Sequence, residues 1–299
     1  MKERLFLTLL QMIPKKTVSR WMGRLARTSF SRRLIPYYIR RFDVDLSQIS
    51  RPVSEYGSLL DFFVRGLQEG ARPVHSDPES VTSPVDGTIS QIGSIDNGTL
   101  LQAKGVSYSL EALLGGDKEK VRDFQGGWFL TIYLSPRDYH RIHTPIQGRV
   151  TSLTYIPGTL FPVNAFGVRK IPGLFAKNER LITYMEGTCG RVAVVKVGAT
   201  NVGSIKVNYD PEVTTNRRRG KQVEKRAYPS KKVLEKGAEL GRFEFGSTVI
   251  LLFQPECIQW NEGMAPGSIL KMGQPVGQVP NHAPAEEPPP LKEGEQRDV

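Results

Sequence analysis

Arg242-Phe243-Glu244-Phe245-Gly246-Ser247-Thr248-Val249-Ile250-Leu251-Leu252-Phe253 sets a small, polar Gly-Ser-Thr at the head of an unbroken apolar run. The run 248–253 has the length and β-branched content of a strand. Its head is an unusual place for three small or polar residues. One explanation is a bulge, with Gly246 as bulge glycine and Ser247 as bulge hydroxyl. The sharper one is a nucleophilic serine, although this is not the G-x-S-x-G elbow of hydrolases. Working outward, residues 128–134, 191–197 and 200–207 are further short β-branched runs broken by Gly and Pro. From about residue 80 this texture predicts an all-β sandwich or barrel, with a helical piece at 109–114. The charged stretch 208–232, which includes Arg217-Arg218-Arg219, reads as an exposed loop or hairpin.

The strands carry a weak internal echo. Ser83-Pro84-Val85-Asp86-Gly87 is answered by Thr144-Pro145-Ile146-Gln147-Gly148, and Lys236-Gly237-Ala238-Glu239-Leu240-Gly241 by Met272-Gly273-Gln274-Pro275-Val276-Gly277. Common turn chemistry explains such pairs as readily as two interlocked hairpin systems do. The second explanation is similar to the barrel-sandwich hybrid of biotinyl and lipoyl domains. The expected fold class is therefore α+β, mainly β, with a barrel-sandwich-hybrid-like core behind N-terminal amphipathic helices.

The net charge of +11 is local. Residues 1–42 hold eleven Lys or Arg against Glu3, which leaves 30 basic and 29 acidic residues for the rest of the chain. The apolar stretch 5–13 is stopped by Pro14, well short of the roughly 20 residues a bilayer span needs, and it lacks a signal-peptide cleavage site. Val18, Trp21, Met22, Leu25 and Ala26 fall on one helical face, and Leu34, Ile35, Tyr37, Tyr38 and Ile39 follow, edged with arginine. A basic, aromatic, amphipathic segment suits an anionic membrane surface. The plainer alternative is a helix docked on the protein's own core. No nucleic-acid motif appears. The domain reading is 1–45 as a membrane-associating arm, 46–279 as the catalytic β-rich domain, and 280–299 as a disordered tail with almost no apolar content. Cys189 and Cys257 make no disulfide framework and have no ligand-spaced neighbour, so a reducing compartment is expected.

Of four histidines, His75 sits in a polar turn and His282 in the tail. His140 and His143 share Tyr133-Leu134-Ser135-Pro136-Arg137-Asp138-Tyr139-His140-Arg141-Ile142-His143-Thr144-Pro145, a segment hemmed by prolines after an apolar strand. An H-x-x-H pair is a metal half-site, but nothing supplies the other half. Acid–base work is the stronger reading. A histidine base needs a nucleophile to activate, for which Ser247 is the candidate, and a group to orient it, for which Asp86 is. A serine hydrolase acting on an external ester remains open. So does a carrier module using the turn Leu270-Lys271-Met272, which lacks the methionine before the lysine.

Taken together and in order, "SPVDGTIS", "LQAKGVSYSLEALL", "TIYLSPRDYHRIHTP", "YIPGTLFPVN", "NER", "VGATNVGSI" and "GRFEFGSTVILLF" resemble bacterial phosphatidylserine decarboxylases from about Val53 to Gly277. The resemblance implies a zymogen that cleaves itself between Gly246 and Ser247. Asp86, His143 and Ser247 match the self-processing triad, and His140 matches a histidine of the decarboxylation. The implied cofactor is a pyruvoyl group made from Ser247, which holds phosphatidylserine as a Schiff base, with no metal and no pyridoxal phosphate. The implied assembly pairs a large chain, 1–246, with a small one, 247–299, and dimerises. It sits peripherally on the cytoplasmic side of the cell membrane. One departure is Phe245, where the family's processing motif usually has leucine.

Overall fold

The structure is a computed structural model and describes residues 15–200, 204–216, 222–229 and 233–280. The apolar stretch 5–13, the Arg217-Arg218-Arg219 cluster, His282 and the tail from 281 lie outside the described residues.

Seventeen strands follow one another among the described residues. They are β1 (Ser80–Thr82), β2 (Gly87–Ser94), β3 (Thr99–Ala103), β4 (Val106–Ser109), β5 (Trp128–Leu134), β6 (Arg141–His143), β7 (Gly148–Ile156), β8 (Arg180–Gly187) and β9 (Gly190–Gly198). Then come β10 (Ser204–Val207), β11 (Glu224–Ala227), β12 (Val233–Leu234), β13 (Glu239–Glu244), β14 (Ser247–Phe253), β15 (Gln259–Trp260), β16 (Ile269–Leu270) and β17 (Pro275–Gln278). The large antiparallel sheet runs β11-β7-β8-β9-β14-β5-β2-β16, with β12 also on β7.

β14 is central, paired along its whole length with β9 and β5. Its alternate side chains serve two cores. Val249, Leu251 and Phe253 join Leu130, Ile132, Val192 and Val194. Ile250 and Leu252 join Phe129, Ala193, Val195 and Val197 on the opposite face. A strand covered on both faces needs no polar alternation, which is why 248–253 reads as one apolar run. The small sheets β1-β17-β15 and β10-β13-β6 cover the first face; the β3–β4 hairpin and short helices cover the second. The protein is thus α+β and mainly β. Its sheets interlock among the described residues without closing into a barrel.

The echo is structural. Ser83 N donates to Gln274 O at 2.8 Å and Gly273 N to Ser83 O at 3.0 Å. The matching positions repeat this, Thr144 N to Ala238 O at 2.9 Å and Gly237 N to Thr144 O at 3.0 Å. Both turn glycines have left-handed backbone, φ 86° at Gly273 and 81° at Gly237. The halves also grip each other, through Thr82 N to Pro145 O and His143 N to Pro84 O. This brings the Asp86 turn and the His143 strand together.

Ser109 caps the expected helix, its Oγ accepting from Ala112 N at 3.2 Å. The stretch 208–232 departs from a plain exposed loop, because Val213, Thr215 and Asn216 are buried and β11 joins the edge of the large sheet. Of the run 200–207, the described strand begins at Ser204.

At the N-terminal end lie α1 (Lys15–Ala26), a 3-10 turn at Ser29–Leu34, α2 (Ile35–Phe42) and α3 (Leu59–Phe63). α1 buries its small residues, Ser19, Gly23 and Ala26, against the body, while its apolar stripe of Val18, Trp21, Met22 and Leu25 stays exposed. Lys16 pairs with Glu179 at 3.2 Å, and Arg27 with Glu244. Downstream, Ile35, Tyr38, Val44, Ile49, Tyr56, Phe62 and Phe63 form a third apolar cluster, onto which Phe245 packs.

Candidate active site

Ser247 opens β14 opposite Gly198 on one side and Leu134 on the other. It is fully buried, and its Oγ has no hydrogen-bond partner among the described residues. Two residues earlier Phe245 has φ 89°, a left-handed backbone that is strained for a residue with a Cβ. The strain sits on Phe245 and not on Gly246, which adopts no positive φ; a Cβ added to Gly246 would meet nothing within 4 Å. Neither backbone strain nor crowding at the Cβ position therefore demands glycine at 246, and its neighbour carries the conformational cost.

The histidine segment is held by short contacts. Ser135 N and Oγ both donate to Asp138 Oδ2 at 2.7 Å, and Tyr38 donates to Pro136 O at 2.6 Å. His140 Nδ1 lies 2.7 Å from Asp138 O, and His143 Nδ1 lies 2.8 Å from Gly237 O. A carbonyl only accepts, so in both rings Nδ1 carries the proton and Nε2 the lone pair. His140 is fully buried, its Nε2 has no partner among the described residues, and its ring lies 4.0 Å from that of Phe63, which in turn lies 4.6 Å from Phe245. Burial, reinforced by Arg65, drives its pKa down to about 3. His143 is also pushed down by burial, against the Gly237 carbonyl, Glu239 and Asp86, which favour its charged form. Its Nε2 accepts from Tyr139 Oη at 3.1 Å.

Asp86 lies beneath this segment with its carboxylate fully engaged. Arg72 donates through Nε at 2.8 Å and Nη2 at 2.6 Å, Met272 N at 2.9 Å, and Lys271 Nζ at 3.4 Å. Those partners hold its pKa below the ordinary carboxylate value despite burial. Asp86 and His143 share backbone pairing through Pro84, yet among the described residues no side-chain hydrogen bond joins them. Asp86 acts on His143 through space. It also lines, with Arg72, Tyr139 and Lys271, a cavity of about 330 Å³.

Sequence reasoning missed Arg65, Arg72 and Phe63, because none lies in a chemical motif. It passed over Tyr139, although Tyr139 immediately precedes His140 in the quoted segment. The "NER" motif turns out to brace the wall facing Ser247. Asn178 Nδ2 donates to Gly198 O at 2.9 Å, and Gly198 N to Glu179 O at 2.8 Å. Cavities flank the site on both sides. One of about 760 Å³ includes Tyr133, the register partner of Thr248, with Val163, Phe166 and Arg169. Another, of about 230 Å³ and nearly all apolar, runs between Trp21, Met22, Leu25, Leu34 and Phe245. Among the described residues no three His, Cys, Asp or Glu side chains cluster as metal ligands.

This arrangement can be compared with known proteins. A family model described as phosphatidylserine decarboxylase matches residues 59–278. The phosphatidylserine decarboxylase proenzyme of Brevibacillus brevis is 47% identical over 275 residues, spanning 92% of this chain and 98% of its own. That of Azotobacter vinelandii is 44% identical over 286 residues, 93% of this chain and 99% of its own. That of Myxococcus xanthus is 42% identical over 283 residues, 93% of this chain and all of its own.

Proposed function

Because the chain belongs to the phosphatidylserine decarboxylase family, and is a decarboxylase made as a proenzyme, we propose that it cuts itself between Gly246 and Ser247 and then converts phosphatidylserine to phosphatidylethanolamine. The observation that carries this reading is the Ser247 hydroxyl, buried and unpartnered two residues past a strained Phe245. Most buried hydroxyls are paired, and a catalytic role is one physical reason for an exception.

In this reading His143, whose charged form Asp86 favours, takes the Ser247 hydroxyl proton, and Oγ attacks the Gly246 carbonyl carbon. The peptide C–N bond breaks, the freed amine is protonated, and an ester joins the two residues. Loss of the Ser247 α-proton then expels the Gly246 carboxylate and leaves dehydroalanine. Tautomerisation and hydrolysis release ammonia, so that residue 247 becomes a pyruvoyl group. The site fits such a group, because the orphaned Oγ departs with the Gly246 carboxylate. When present, the pyruvoyl group supplies an electrophilic ketone for the lipid's amine and a sink for the electrons left when carbon dioxide departs. His140 moves a proton at Nε2 during that step. β14 stays zipped between β5 and β9, which keeps the small chain attached to the large one.

One observation favours exchanging the histidines. His140 Nε2 is unpartnered and only Phe63 separates its ring from Phe245, whereas His143 Nε2 is occupied by Tyr139. Denaturing electrophoresis and intact mass test both points. Wild type should give residues 1–246 and a fragment of 53 residues, 247–299, and Ser247→Ala a single chain. His143→Ala should stay whole, while His140→Ala splits but decarboxylates poorly; the reverse pattern selects the exchange. A fully active wild-type chain that never splits sinks the mechanism.

The membrane reading places residues 1–45 against the anionic leaflet on the cytoplasmic side. It is supported by the outward-facing stripe of α1, by Phe30 and Tyr37, each 61% exposed, and by exposed Arg24, Arg33, Arg40 and Arg41. No helix among the described residues is long and apolar enough to cross a membrane. The apolar cavity links that stripe to Phe245, which gives an acyl chain a route from the surface to the site.

A further inference from the structure

Arg65 departs from the way this protein treats its other deeply buried arginine. Arg180, 2% exposed, spends its donors on the carbonyls of Leu113, Ala176, Asn178 and Ala112. Arg65 is 4% exposed and uses only Nη2, which donates to Arg137 O at 2.7 Å and Asp138 O at 3.3 Å. Its Nε and Nη1 are buried without partners among the described residues. Among the described residues no carboxylate pairs with it; Asp138 and Asp86 act on it only through space, and its guanidinium lies over the Phe62 ring at 5.3 Å. A guanidinium stays charged, and a buried cation without an anion is among the costliest groups a fold can retain.

Its position says where the anion belongs. The Asp138 carbonyl that accepts from Arg65 also accepts from His140 Nδ1 at 2.7 Å. Phe63, two residues before Arg65, packs at a tilt against both His140 and Phe245. Arg65 and His140 thus meet at one backbone carbonyl, each with a further ring or guanidinium nitrogen that has no partner among the described residues.

We propose that Arg65 is the oxyanion-binding residue of this site, with one of its two spare donors, Nε or Nη1, reserved for the phosphate or carboxylate of the aminophospholipid headgroup. This deepens the decarboxylase reading and rests on it for the identity of the lipid. The tethering of residues 137–138 by Nη2 then has a second effect. It couples the arrival of the headgroup to the segment that carries both histidines.

Calorimetry of the full-length Ser247→Ala chain tests this without any need for cleavage. The probes are dihexanoyl-phosphatidylserine and dihexanoyl-phosphatidylethanolamine below their micelle concentrations, with residue 65 as Arg, Gln or Lys. Arg65→Gln should weaken phosphatidylserine binding about 10- to 100-fold, the worth of one charge-assisted contact. Arg65→Lys keeps the charge but aims its donors differently, and should weaken binding at least about fivefold. Equal weakening of the ethanolamine lipid assigns the contact to the phosphate; an unchanged ethanolamine affinity assigns it to the carboxylate. Equal affinities in all three chains, or no binding by the Arg65 chain, overturn the proposal. If Arg65→Gln does not fold, an Arg65→Lys chain that binds as tightly as arginine overturns it too. Failure of the wild-type chain to split, read separately on a gel, counts against the cleavage mechanism and not against Arg65.

Discussion

Lowering the pH from about 7.5 to 5 should cost the folded protein about 2 kcal/mol through His140 alone. His140 is fully buried, and in the folded chain its pKa is about 3, against 6.5 when exposed. Between those values the unfolded chain binds one proton that the folded chain refuses. Stability therefore has its full value above 6.5, falls as pH drops below it, and levels off only near 3. The slope is about 1.4 kcal/mol per pH unit, so the 1.5 units between 6.5 and 5 amount to about 2 kcal/mol. Against a total stability of roughly 5–15 kcal/mol this is readily measured. The assay is urea unfolding of the Ser247→Ala chain and of Ser247→Ala with His140→Gln, at both pH values and constant ionic strength. His143, also pushed down by burial, is present in both chains, so its contribution cancels. The His140 chain should lose about 2 kcal/mol more than the glutamine variant. Equal losses, or a His140 imidazole resonance that titrates near its ordinary value, would refute the reasoning.

The left-handed backbone at Phe245 stores about 1–3 kcal/mol beside the proposed scissile bond. Phe245→Gly should therefore slow self-cleavage, followed on gels after refolding, by roughly 5- to 100-fold, while Phe245→Leu stays within a few fold of wild type; a glycine variant that cuts as fast removes strain from the account. On vesicles containing anionic lipid, Trp21→Ser combined with Leu25→Ser should lower binding at all salt concentrations. Removal of Arg24 or Arg33 should lower it about fivefold each at low salt and less at high salt. Sedimentation that fails to separate these variants from wild type would return α1 to a purely structural role.

Much of the site could be read along the chain because its chemistry sits in short contiguous segments. His140 and His143 lie three residues apart, and Gly246-Ser247 interrupts an apolar strand at its first residue. The strands themselves declare their burial, since a strand covered on both faces leaves an unbroken apolar run. The helical stripe of α1 was equally legible, but not the direction it faces. Periodicity states which residues share a face, whereas the surface that receives Ser19, Gly23 and Ala26 is assembled from distant parts of the chain such as Asn216, Glu179 and Glu244.

The same distinction governs the polar groups. The sequence alone singled out Asp86, His140, His143 and Ser247 by residue type and local spacing. It could not assign their partners, because hydrogen bonds here close over long separations. Asp86 is held by Arg72, 14 positions away, and by Met272, 186 away. His143 Nδ1 meets a carbonyl 94 residues on. Nor could it decide whether the paired turns were chance, since turn composition recurs freely and only matched backbone bonds distinguish a repeat. The local sequence determined the elements and marked the candidate side chains. The tertiary structure decided which polar atoms are satisfied and which, like Arg65 Nε and Nη1, His140 Nε2 and Ser247 Oγ, have no partner among the described residues, because burial and pairing are properties of the assembled chain.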